Sequence, residues 1–424
     1  MLLKIPRLYD SHTHFLATGE FAAGLNLFNL SSAEAVKDLQ LEGKTAFRGG
    51  WLVGFGWDEN KWDSKTLPSR EVLDAAFPDF PVYLCRADGH TAWVNTKALQ
   101  ALGLQAESGL LSEKDHLQSW ERIPPYEKTQ QWQQVLAGCK LYNRAGFTHI
   151  RDMSGTESLW NLLTEMENAG ELTLAVEENF TFHELNDLDR VIAEALACRK
   201  HETKLLRSKG VKFFYDGSLG SETALLSQPY GGHGNKFGKV LWNLTEVEEI
   251  LKKTWTAGLE VSVHTIGDEA AHHIVQTARK VSAQGYVGRL NLEHAQVLRP
   301  ETIQMMKPLH VRCHMQPCHW LSDRVWLKEK LVGLYKFVFP WEALRAAQIP
   351  ISFGCDSPIE PTSFFANKAA LEQSPKEDIK KFKGDLAVVH SHPDASYTNS
   401  WTVIDDDQIK EVVFNGQPLR LFDN

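Results

Sequence analysis

Short apolar runs alternate with longer amphipathic stretches along most of this chain. Runs at residues 8–10, 147–150, 172–176, 211–215, 259–263, 290–292, 310–313 and 351–353 have the length and content of buried strands. Between them, residues 128–144, 157–169, 185–207, 245–257, 269–283, 300–306 and 340–347 carry apolar positions three and four apart, the spacing of a helix with one buried face. Gly146, Gly170, Gly210 and Gly258 stand where such helices should stop. Eight strands separated by helices predict an α/β fold, a (β/α)8 TIM barrel. A doubly wound sheet competes, but no Gly-rich phosphate turn follows the first strand.

The spacing of these elements divides the chain. Residues 1–17 hold barrel strand 1, 18–126 an insertion, 127–375 the remainder of the barrel, and 376–424 a C-terminal segment. The insertion is too long for a loop and needs a structure of its own. Leaving the C-terminal end of a barrel strand, it is placed to roof an active site. Its Trp51, Trp57, Trp62 and Trp93 suit an aromatic pocket, and core packing explains them equally well. In the C-terminal segment, residues 385–389 and 411–415 read as short strands outside the barrel.

Composition narrows the class. The 424 residues are 43% hydrophobic and 23% charged, ordinary for a globular chain. A net charge of -9, with no Lys/Arg cluster, argues against a nucleic-acid partner. Six scattered cysteines without a C-x-x-C pair are no disulfide framework and suit a reducing, cytoplasmic location. No run is long enough to span a bilayer, and the first residues lack the apolar core of a signal peptide.

Candidate chemistry concentrates at the strand ends. Asp10-Ser11-His12-Thr13-His14 places two imidazoles one residue apart, so both point the same way from a strand. His264, His294 and Asp356 each end or follow a predicted strand, at the catalytic rim of a barrel. Lys212 lies nearer the start of its strand and faces inward. Neutral imidazoles with a carboxylate suit zinc or a similar divalent ion, which lowers the pKa of bound water to about 7. A carboxylate beside that water can take its proton and pass it to a leaving amine. Lysine becomes a ligand once CO2 converts it to a carbamate, which can bridge two ions. Any one of these residues alone would read as structural; their joint placement does not.

These motifs resemble the amidohydrolase superfamily, and within it amidohydrolase family 3 of the YtcJ-like kind. The resemblance runs over nearly the whole chain: residues 5–14, Arg86 to Leu99 around His90, Val211 to Ser221, residues 229–241, Val263 to Asp268, Glu293 to Gln296, Gln316 to His319 and Gly354 to Pro358. It implies a barrel with a small β-subdomain from both termini, here reduced because only nine residues precede Asp10. It also implies a metal-dependent hydrolase of non-peptide C–N bonds in small molecules, with one or two divalent ions, zinc by family habit. By position His12, His14, Lys212, His264, His294 and Asp356 would be ligands, with Lys212 carbamylated and Asp356 also the general base. His90 and His319 would face the substrate, and a homodimer is a family-level expectation. Two rivals remain: an esterase or lactonase on the same site, and an inactive amidohydrolase-like binding module. Ser357 stands where the family often has Trp, so the pocket wall differs. His390 and His392 repeat the H-x-H spacing beside Pro393 and read as surface. His272 and His273 are neighbours on a helix and cannot face one metal together. Cys313 and Cys318 lack the partners of a zinc ribbon.

Overall fold

Eight parallel strands line up in chain order in the computed structural model, which describes residues 2–41, 45–64, 67–87, 91–120, 122–375, 379, 381–394 and 397–421. They are β1 (Tyr9–Thr13), β2 (His149–Gly155), β3 (Ala175–Thr181), β4 (Leu206–Phe214), β5 (Glu260–Thr265), β6 (Leu290–His294), β7 (Val311–Met315) and β8 (Ile351–Phe353). Each pairs in parallel with the next, with helices between most of them. The seam between β1 and β8 is stitched just past β8. Asp356 N donates to His12 O at 2.8 Å, His14 N to Ser357 O at 2.9 Å, and Cys355 N to Asp10 Oδ1 at 3.0 Å. Gly354 permits this approach, because a Cβ there would lie 2.5 Å from His12 N. The result is the (β/α)8 TIM barrel.

Strand alternation decides what fills the barrel. On β5, Glu260, Ser262 and His264 share one face while the buried Val261 and Val263 share the other. The inward set is polar, unlike the branched aliphatic layers usual in this fold. Arg151 of β2 spans the interior: Nη1 donates to Glu293 Oε1 at 2.8 Å and Nη2 to Ser262 Oγ at 2.5 Å. Such strands hide from a hydropathy reading. Accordingly β2 and β3 run on through Arg151-Asp152 and Glu177-Glu178-Asn179, past the apolar runs at 147–150 and 172–176. The expected helix 185–207 is likewise too long: it covers Leu188–Arg199, and β4 begins at Leu206. Gly210 therefore stops no helix. It lies inside β4, where a Cβ would meet Glu260 O at 1.9 Å.

Strands from both termini form a small antiparallel sheet. Leu3–Pro6 pairs with Trp401–Asp405, which pairs with Gln408–Phe414, and that strand with Gln417–Pro418. Residues 385–389, expected as a strand, contain the helix Leu386–Val389. Asp385 Oδ1 accepts from Ala387 N at 2.8 Å and caps it, an arrangement that an apolar run alone does not reveal.

The chain divides into two compact units: Met1–Phe15 with Tyr142–Asn424, and Leu16–Leu141. The second has a mixed sheet of its own, ordered Leu25–Asn26, Trp51–Trp57, Val82–Arg86, Thr91–Val94 and Leu110–Ser112, with Phe47–Arg48 at Trp51–Trp57. Both faces are covered. Leu52, Leu84 and Trp93 sit in one cluster, and Trp51, Val53 and Tyr83 in the other. Gly56, at φ +113°, marks a bulge that breaks the alternation and puts Trp57 on the Leu52 side. All four tryptophans Trp51, Trp57, Trp62 and Trp93 are buried in these clusters, so packing accounts for them. Among the described residues no helix is long and apolar enough to cross a membrane. All six cysteines are free and buried.

Candidate metal centre

His12 and His14 stand at the C-terminal end of β1. The His12 ring is fully buried, and its Nδ1 lies 2.6 Å from Glu293 Oε2. A carboxylate only accepts, so Nδ1 carries a proton and Nε2 is the atom left to face an ion. That Nε2 has no hydrogen-bond partner and sits 3.3 Å from Asp356 Oδ1. His14 Nδ1 meets Ser154 Oγ at 2.6 Å, and its Nε2 lies 3.4 Å from the same Asp356 oxygen.

Asp356 follows β8 at φ +60°, and His294 ends β6 at φ +69°. Left-handed backbone costs a non-glycine residue about 1–2 kcal/mol, and such outliers gather at functional sites. At His294 the turn breaks the strand alternation, so Glu293 and His294, though adjacent, both reach the centre. Burial alone would raise the Asp356 carboxyl; the imidazoles of His12, His14 and His319 hold it well below the usual carboxylate range. His319 Nε2 faces its Oδ2 at 3.4 Å.

His264 and His294 complete the ring of imidazoles, with centroids 4.4 Å apart and His294 4.7 Å from His12. His264 Nε2 donates to Gly217 O at 3.1 Å, leaving a buried Nδ1 without a partner. Burial and the Lys212 charge push its pKa down to about 3. Burial, with its His264 and His12 neighbours, holds His294 well below its ordinary value, and its Nδ1 meets Gln316 Oε1 at 2.8 Å. Neutral imidazole is the form a metal requires. Lys212 is fully buried, its Nζ unpartnered and 4.2 Å above the Phe214 ring. Burial pushes its ammonium down to about 8, against the pull of Glu293 and Asp356. It is the seventh of nine residues in β4, near the C-terminal end rather than the start.

Among the described residues two groups of donors emerge, His12 with His14 and Asp356, and His294 with His319 and Asp356; within each the candidate ligand atoms lie within 4.8 Å of one another. Asp356 belongs to both. Buried atoms of His12, Lys212, His264, His319 and Asp356 lack hydrogen-bond partners, which is costly unless something charged is bound among them. These residues fit a divalent ion. His90 falls outside the described residues.

Motif reading gave Glu293 and Arg151 no role. Glu293 grips His12, and Arg151 grips Glu293, so the two fix the ring that would face the ion. An acid next to a motif histidine was the available signal. The tail pair is a correction. His390 and His392 are buried, not surface: His390 packs on Phe353 and Phe364, and His392 stacks on Tyr397 with Nε2 3.1 Å from Glu177 Oε1.

A parallel barrel with imidazoles and a shared carboxylate at its C-terminal rim defines a metal-dependent hydrolase. The Amidohydrolase family model matches residues 3–370, and the chain belongs to that family. It is 29% identical over 383 residues to the amidohydrolase-family protein YtcJ of Bacillus subtilis (strain 168), covering 85% of this chain and 71% of that protein. An N-substituted formamide deformylase of Arthrobacter pascens is 21% identical over 393 residues, covering 84% of this chain and 70% of that protein. Among solved structures, an uncharacterized metal-dependent hydrolase from Pyrococcus furiosus superposes with a TM-score of 0.76 at 25% identity, over 96% of this chain and 88% of that one.

Proposed function

We propose that the chain hydrolyses a non-peptide, amide-type C–N bond in a small molecule. His12, His14, Lys212, His264, His294 and Asp356 would hold one or two divalent ions, zinc by the donor set. When bound, the ion supplies Lewis acidity that polarises a carbonyl and makes water nucleophilic near neutral pH. Asp356 is the proton carrier. Held ionised, its Oδ2 accepts a proton from the attacking water and returns it to the departing nitrogen. His319 orients that oxygen and faces the substrate. Neutral Lys212 Nζ adds to CO2, forming an N–C bond and releasing one proton, and the carbamate replaces a buried ammonium with an anion among the imidazoles.

The observation that carries this reading is the convergence of His12, His14 and His319 on one ionised carboxylate at the barrel rim. A relative named as a formamide deformylase supports the C–N class. Cytoplasmic location and a homodimer belong to the same reading. Metal analysis of purified protein and a panel of N-formyl and N-acyl amines against esters and lactones test it. Turnover of amides with bound divalent ion is expected, falling by about 10²–10⁴ in Asp356→Asn. Failure to bind an ion under any loading condition, or ester turnover without amide turnover, overturns it.

A further inference from the structure

A second cavity, of about 300 Å3, lies at the opposite, N-terminal end of the barrel. Five cations line it, and four are matched. Arg151 pairs with Glu293 at 2.8 Å, Arg207 with Asp394 at 2.6 Å, Lys209 with Glu177 at 3.3 Å, and Arg289 with Glu260 at 3.5 Å. Arg312, the second residue of β7, has no carboxylate partner among the described residues. Its guanidinium donates weakly to Ser352 Oγ at 3.4 Å, and its Nε has no hydrogen-bond partner. Beside it His314, 2% exposed, has an Nδ1 that is also unpartnered. A desolvated guanidinium without an anion is unfavourable, and the arrangement leaves one positive charge over.

Arg312 also lines a larger neighbouring cavity, of about 810 Å3, with Pro6, Ile349, Ile351, Phe382 and Val388. His392 and Pro393 border both spaces, so the two meet at Arg312. One side is cationic and the other largely apolar; its charged lining residues are engaged, Arg345 with Glu342 and Asp385 in capping the helix Leu386–Val389.

We propose that this N-terminal mouth binds a small organic carboxylate, its head on Arg312 and its hydrocarbon part in the apolar space. One unmatched charge asks for a monoanion, and a planar guanidinium takes a carboxylate through two parallel hydrogen bonds. The apolar space selects a ligand with a short chain over a bare ion. This site is separate from the metal centre, since Arg312 lies near the start of β7 and Gln316 follows its end.

Calorimetric titration of metal-loaded protein with octanoate tests the site, with acetate and inorganic phosphate as comparators. Saturable octanoate binding at least tenfold tighter than acetate or phosphate is expected. Arg312→Met should weaken it at least tenfold with metal content and turnover unchanged. Val388 is 68% exposed, so Val388→Glu should fold normally and weaken octanoate by repulsion; it decides the matter if Arg312→Met does not fold. No saturable binding, phosphate tighter than octanoate, affinity unchanged in folded Arg312→Met or in Val388→Glu, or binding abolished by chelating the metal would each overturn the proposal.

Discussion

At the scale of single residues, Glu293 and Lys212 make opposite predictions. Glu293 is buried between a guanidinium and an imidazole. Removing it in Glu293→Ala leaves Arg151 uncompensated, at a cost of about 3–5 kcal/mol, and frees the His12 ring, which should weaken metal binding about 10–100-fold. Chelator competition and denaturant melts read the two effects separately. Lys212 is buried without a partner for its amine. Lys212→Met should therefore stabilise the metal-free protein by about 1–3 kcal/mol while lowering metal stoichiometry; loss of stability together with retained stoichiometry would contradict its placement among the ligands. Sequence alone showed His12, His14, His264, His294 and Asp356 as chemistry because each ends a strand. It could not show Glu293 and Arg151 as partners, because their pairing spans the barrel from β2 to β6.

At the scale of elements, the seam between β1 and β8 is the sensitive joint. A Cβ at Gly354 would stand 2.5 Å from His12 N and 2.8 Å from Asp10 Oδ1. Gly354→Ala must push β1 outward, so metal affinity should fall at least tenfold, alongside an overpacking cost of about 1–3 kcal/mol. Unchanged affinity would mean that the seam yields without moving His12. Pattern reading located all eight strands but misjudged several starts and ends. The reason is physical: Arg151, Glu177, Asn179 and Arg207 lie in strands yet face a polar interior, so they look like loop or helix residues. Strand β8, bounded by clear turns, was legible to the residue, and β5 to within two. His390 and His392 misled for the converse reason. Beside a proline they resemble surface, but the chain folds back under the barrel and buries them.

For the whole molecule, buried charge makes stability depend on pH. Burial alone would raise the Glu177 carboxyl; Lys209, His392 and the Tyr9 hydroxyl hold it well below its ordinary value. A carboxyl depressed on folding contributes stability above its unfolded pKa of about 4.3, and that contribution is lost as pH falls through the folded value. Glu177→Gln should lower stability at neutral pH by about 3–5 kcal/mol and flatten the acid limb of the curve, as denaturant midpoints from neutral to acid pH would show; an unaltered acid limb would place the acid sensitivity elsewhere. The tail that supplies His392 has a further consequence, in the timing of synthesis. Tyr9 N donates to His390 O, Arg7 N to Ser400 O, and His14 N to Ser357 O. β1 can meet β2 early, yet its other edge waits for residues made about 350–390 positions later, roughly 20–80 s at ribosomal speeds. The strand that ends at the candidate ligands His12 and His14 thus leaves the ribosome before the rest of the barrel and is enclosed last, and a nascent chain stalled before residue 354 should carry an open, metal-free barrel.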